Sequence, residues 1–354
     1  MSAVGELRYE RAYYYCRHCG AGSAPSDRAF RLADTDLTPA ARELAALAGA
    51  LSSFAEAAEK TLPKLAGLRV SESSVERATE AAGASVGRRL SDGEVFGAAA
   101  DWNWPSDASG RAVGYVSLDA TGVGIQGPTG AAAEGRMIDV GMVFAPAAGG
   151  KPGRMRALTA LGARHDLGEQ LRRQAAQVGL QSADVWVGPT DGGAGLDEFL
   201  RVYFPRAEVI LDFYHAAEHL NDLAKALNPG DDGAAGELAG RWCHQLKHDG
   251  GAAVMAALAA VDLRGRKAAA RECHRSVTGY VRNNLFRMDY PRYRANGWLI
   301  GSGHIESACK GVIGQRLKGN GMRWSEAGAD AVGHLRALFK SEKGQWDAFW
   351  ATAA

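Results

Sequence analysis

"GYVSLDATGV" (114–123) is the stretch on which the fold turns. Its opening is apolar on both alternating sets of positions, the pattern of a strand covered on both faces, and it runs straight into a carboxylate, Asp119. Two later runs repeat the device: "DVWVGPTDGG" (184–193) reaches Asp191, and "AEVILDFYH" (207–215) reaches Asp212. Between them, "RMIDVGMVFAP" (136–146) alternates after a glycine-rich turn and predicts a hairpin partner for the first strand. "DLGEQLRRQAAQVGL" (166–180) has helical spacing, and "LDEFLRVYFP" reads as a helix stopped by Pro205. Strands alternating with helices predict an α/β layer with parallel strands.

Outward from this layer the pattern is helical. Residues 216–300 carry no strand-like run before "GWLIGSG", and 302–343 again read as helix. Upstream, Thr38 is placed to cap a helix with Pro39 at its first position, and Ser71 or Ser73 to cap a second one holding Val75, Ala78 and Thr79 on one face. The pair has the outline of a helix-turn-helix, a shape that also serves as a plain helical hairpin. "DWNWPSDASGR" (101–111) reads as a linker, and the alternation Leu7, Tyr9, Ala12, Tyr14 as a strand entering a turn at Cys16–Cys19.

The 354 residues allow two or three domains. A net charge of +1 excludes a globally basic nucleic-acid binder, so any basic surface must be local. Residues 309–340 supply one, with six Lys or Arg against two acids. No apolar run is long enough to cross a bilayer and no secretory leader is visible, so a cytoplasmic, nucleoid-associated protein without a membrane partner is expected. Five scattered cysteines argue against a disulfide framework.

Ligands of open sheets bind at the carboxyl ends of strands, where Asp119, Asp191 and Asp212 are expected. One strand-end aspartate by itself reads equally well as a turn cap. Three of them, with Glu306 in "GSGHIESACKGVIGQRLKGNGMRW" (301–324), read as a site for hard divalent cations. Two Mg²⁺ about 3.5–4 Å apart can activate a water or hydroxyl and stabilise the leaving oxygen of a phosphodiester. Mn²⁺ fits the same oxygen donors. Lys310, Arg316, Lys318 and Arg323 follow Glu306 and are expected to neutralise DNA phosphates, the alternative being a solvated helix face. Met322 and Trp324 read as core residues, or as wedges against bases.

"SLDATGV", "GPTDGGAGL", "YFPRAEVILDFYHAAEHL" and "GSGHIESACKGVIGQRLKGNGMRW", in that order, resemble the DDE transposases of bacterial insertion sequences, nearest the ISKra group with kinship to the ISL and mutator-type enzymes. The resemblance implies a ribonuclease-H-like catalytic domain (110–215 and 300–343) with a helical insertion (216–299). Ahead of it come a partial zinc-ribbon-like segment (1–35) and a helical DNA-binding region (36–100). It implies Asp119 as the first catalytic carboxylate, Glu306 as the last and Asp191 as the middle one, with Asp212 the alternative. Asp212 and His215 match a supporting D-x-x-H element, and His215 also reads as a helix cap. It implies a homodimer or larger assembly on insertion-sequence terminal repeats and target DNA. A nuclease or resolvase without strand joining, or a truncated DNA-binding remnant, are the competing readings.

Cys16 and Cys19 have zinc-knuckle spacing but supply two of the four donors a tetrahedral site needs, where family members carry a further pair. Cys243, Cys273 and Cys309 read as small core residues.

Overall fold

The computed structural model describes residues 1–30, 32, 35–127, 134–147 and 153–353. Its centre is one five-stranded sheet. The chain first makes a short ribbon from β1 (Tyr14–Tyr15) and β2 (Gly22–Ser23); the sheet is then built from β3 (Val113–Ile125), β4 (Glu134–Ala145), β5 (Arg154–Leu161), β6 (Val185–Thr190) and β7 (Ala207–Leu211). Strand order is β5-β4-β3-β6-β7. β3 and β4 pair antiparallel, as do β4 and β5, whereas β3–β6 and β6–β7 are parallel.

The hairpin expected at 136–146 therefore forms, but the sheet is mixed rather than parallel throughout. Its third strand, β5, has no counterpart in the sequence reading. The reason is physical: Arg156, Ala157, Leu158, Thr159 and Ala160 are all buried, so both faces of β5 are covered and the polar–apolar alternation is lost. The outer edge of β5 is closed by the helix Glu326–Lys340 and the turn after it. Asp330 Oδ1 accepts from Leu161 N at 3.0 Å, and Ser341 Oγ accepts from Ala157 N at 2.9 Å, which protects a strand edge from further pairing.

Side chains of β3 alternate between two apolar layers. Val116 and Leu118 face helices Arg164–Gln177 and Leu196–Tyr203. Val113, Tyr115, Val123 and Ile125 face the other layer, made by the helices after β7 and the segment carrying Glu306. Asp119 shares that second face by the two-residue period.

The long helical excursion begins with Phe213–Leu227 and continues through Asp232–Asp249, Gly251–Ala259, Ala268–Asn284 and Tyr290–Ala295. It returns to its starting point, where Phe213 N donates to Ile300 O at 2.8 Å. "GWLIGSG" is loop rather than strand. The 302–343 stretch is not one helix either: it runs helical through Leu317, then lays Trp324 alongside the end of β3, with Trp324 N donating to Gly124 O at 3.1 Å and Gln126 N to Trp324 O at 2.7 Å.

Thr38 and Ser71 cap helices Pro39–Leu51 and Glu72–Ser91, accepting from Ala41 N and Ser74 N. Glu72–Ser91 is not a free-standing element. Ala82, Val86 and Leu90 join the same apolar layer as Leu335 and Leu338, and a Cβ on Gly83 would stand 1.9 Å from Ala331 O. The "linker" is anchored too, with Trp102 buried and its Nε1 donating to Glu342 Oε2 at 2.9 Å.

Candidate active site

Asp119 is half-buried near the middle of β3. Its Oδ1 accepts from Ala120 N at 2.7 Å, and the buried Cys309 thiol donates to Oδ2 at 3.5 Å. Burial raises its carboxyl above the ordinary aspartate value, and the charges of Asp191 and Glu306 raise it further. Asp119 thus feels the charge of Asp191, after the end of β6, and of Glu306, on the helix Gly303–Ala308.

Asp191 directly follows β6. Among the described residues only its Oδ1 is engaged, by Gly193 N at 2.7 Å in a tight turn. Gly192 is required there because a Cβ would stand 2.5 Å from the Tyr280 ring. Arg287 braces the turn from the inserted helices, donating to Thr190 Oγ1 at 3.0 Å and to Asp191 O at 3.4 Å.

Asp212 is placed quite differently. It is 2% exposed and caps Phe213–Leu227, accepting from Tyr214 N at 2.6 Å and His215 N at 3.3 Å through Oδ1. Its Oδ2 accepts from Ser302 N at 2.9 Å and from the Ser302 hydroxyl. That hydroxyl also reaches Glu306 Oε1 at 2.7 Å. Asp212 is thus saturated by donors and fixes Glu306 through Ser302. His215 contributes its backbone N–H to the cap; its ring lies by Glu218 and His219 instead, Nδ1 being 3.7 Å from Glu218 Oε2.

The basic residues divide into two sets. Lys310, Lys318 and Arg323 are exposed, and Lys318 Nζ donates to Thr121 Oγ1, on the face and strand of Asp119. Arg316 is 2% exposed, so the expected solvent-facing role is corrected. Its Nε donates to Gly49 O at 2.8 Å, and its guanidinium lies 4.7 and 4.8 Å from the Phe54 and Trp324 ring centres. Burial, then repulsion from Arg336, pull its pKa down to about 10. Arg336, equally buried, donates to Val312, Gly311 and Ala50 carbonyls. Trp324 is core, its Nε1 donating to Leu317 O at 3.1 Å, and Met322 packs beside it.

Ser302, Tyr280 and Cys309 were not assigned to the site from sequence. Ser302 had a signal, lying one turn before Glu306; Tyr280 had none, because its approach to Gly192 is purely tertiary.

The carboxylates are hard oxygen donors whose mutual repulsion suits a divalent cation. Among the described residues, however, no three His, Cys, Asp or Glu side chains stand close enough together to hold one. At the N-terminus, Cys16 and Cys19 are exposed, with Gly20 N donating to Cys16 O at 2.9 Å. Backbone N–H from Cys19, then its thiol and His18 N–H, lower the Cys16 pKa.

No protein-family model matches the chain, and no curated protein matches it. Among solved structures it is similar to the Drosophila P element transposase strand transfer complex, at 10% identity and a TM-score of 0.40, over 86% of this chain and 93% of that one.

Proposed function

We propose that this chain is a DDE transposase of the ISKra kind, cleaving insertion-sequence ends and joining them to target DNA. The observation that carries the reading is the placing of Asp119 on β3 against Cys309 of the segment that bears Glu306, with its carboxyl raised by burial and then by the charges of Asp191 and Glu306. Asp119, Asp191 and Glu306 would hold Mg²⁺ or Mn²⁺, which when bound supplies charge stabilisation at the phosphodiester and a more acidic water. Asp191 is favoured over Asp212 as the middle carboxylate because its Oδ2 accepts no hydrogen bond from the described residues, whereas both oxygens of Asp212 are occupied. Asp212 and Ser302 then act as positioning residues for Glu306.

Lys310, Lys318 and Arg323 would neutralise phosphates of the strand being cut, while Arg316 holds the fold. Cys16 and Cys19 would give two of the four donors of a structural zinc. A dimer or larger assembly on two DNA ends follows from the same reading.

The test is strand transfer. The full chain, with Mg²⁺ or Mn²⁺, is given duplexes taken from the DNA on either side of its reading frame. Joined products are expected, and Asp119→Asn, Asp191→Asn and Glu306→Gln should each lose at least a thousandfold while still folding. Nicks without joining would replace the transposase reading by a nuclease; no metal-dependent product with any DNA would end both.

A further inference from the structure

The helix that carries Glu306 has two flanks. Ser302 and Glu306 look toward Asp212 and Asp119; His304 and Ser307, with Gly311 in the π-helical turn that follows, border a separate cavity of about 440 Å³ against β4 and β5. Its floor is apolar and soft, formed by Met142, Phe144 and Met155. The His304 ring stacks on Phe144, centres 5.0 Å apart and planes 20° from parallel. Arg154 and Lys340 stand at the rim, and among the described residues neither has a carboxylate partner within ion-pair distance.

We infer that this cavity binds a single nucleotide, its base lying on the outer face of His304, whose other face stacks on the buried Phe144, and its phosphate held by Arg154 and Lys340. A flat ring pair accepts any base through its π-face, thioethers add polarisable contact at ring edges, and an arginine fork matches phosphate oxygens. The volume lies within the range of small-ligand sites, about 300–1,000 Å³. An acyl chain would use the floor but neither the stack nor two cations; a phosphopeptide would use the cations but not the stack. The nucleotide is either turned out of a DNA strand or free in solution. Only the first source rests on the transposase reading.

The full chain is titrated with a short single strand carrying one 2-aminopurine, whose fluorescence falls on stacking, and separately with 2-aminopurine riboside 5′-monophosphate. Saturable quenching is expected in at least one arm, and which arm identifies the source. Gly311→Leu should weaken it at least tenfold, since a side chain at Gly311 enters open space with no atom within 4 Å of its Cβ. Arg154→Ala with Lys340→Ala should lower the salt slope of single-strand binding by about 0.7, the share of the one phosphate they hold. Should Gly311→Leu fail to fold, the two rim cations still give the test. Quenching absent in both arms, or unchanged in the folded variants, overturns the assignment. Asp119→Asn should leave quenching intact, so loss of cleavage chemistry and loss of this site are separate results.

Discussion

Cys309 Sγ lies 3.5 Å from Asp119 Oδ2, a buried thiol donating to a half-buried carboxyl. The contact joins the segment after Glu306 to the strand of Asp119 and makes the dry wall of the site. Burial, then the Asp119 charge, push the Cys309 thiol well up, while Cys16 is shifted the other way. Thiolate is the reactive form.

Timed alkylation with iodoacetamide at pH 7.5, read by mass spectrometry, should therefore modify Cys16 first and Cys309 last. Cys243 and Cys273, both raised by burial, should fall between them. Zinc should slow Cys16 and Cys19 and leave the other three alone.

Asp119 makes the metal-free fold depend on pH. Its carboxyl is raised in the folded state, so between the ordinary value of 3.8 and the folded one the native chain binds more protons than the unfolded chain. Stability must then fall as pH climbs through that window. Asp119→Asn removes the effect. In EDTA at pH 7 it should melt above wild type, with the gap closing below about pH 4. Mg²⁺ should raise the wild-type melting temperature and leave the variant unmoved. Thermal scans across pH, with and without metal, check both halves.

Ser302→Ala deletes a hydroxyl shared by two carboxylates. Urea unfolding should report a loss of about 1–2 kcal/mol. Asp212→Ala should cost more, because it also removes a helix cap worth about 1 kcal/mol. Ser302→Ala should cut cleavage while leaving duplex affinity within threefold of wild type, since it moves Glu306 and touches no exposed cation.

Among the basic residues, exposure predicts the phenotype. Lys310→Ala and Arg323→Ala should each lower the salt slope of duplex binding by about 0.9 for a lost phosphate contact, with little change in melting temperature. Arg316→Ala should do the reverse, losing about 3 kcal/mol of stability by leaving the Gly49 carbonyl unpaired and a void between Phe54 and Trp324. Binding isotherms at several salt concentrations, paired with denaturation curves, separate the two behaviours.

The apolar runs before Asp119, Asp191 and Asp212 made three strands readable, and the alternation of 136–146 made a fourth, because those stretches announce burial by composition alone. β5 stayed hidden since Arg156 is neutralised by Glu342 inside the layer, so a buried strand carries an apparently exposed residue. Arg316 misled for the same reason: sequence gives the charge but not whether carbonyls and aromatic faces surround it. Spacing did not separate Asp191 from Asp212, because both end a strand; the resemblance favoured Asp191, and the donors that occupy Asp212, from Tyr214, His215 and the sequence-distant Ser302, meet only in the fold.

The pairing of Phe213 N with Ile300 O has an evolutionary meaning. A polypeptide that leaves and re-enters a sheet at one spot can be lengthened, shortened or exchanged without altering strand register. This excursion is tied to its host beyond that junction, by Arg287 and Tyr280 at the Asp191 turn, by Tyr290 donating its hydroxyl to Leu211 O at 3.0 Å and by Arg292 donating to Glu208 Oε1 at 2.6 Å, so a replacement that kept the junction but lost those side chains would leave that corner unbraced.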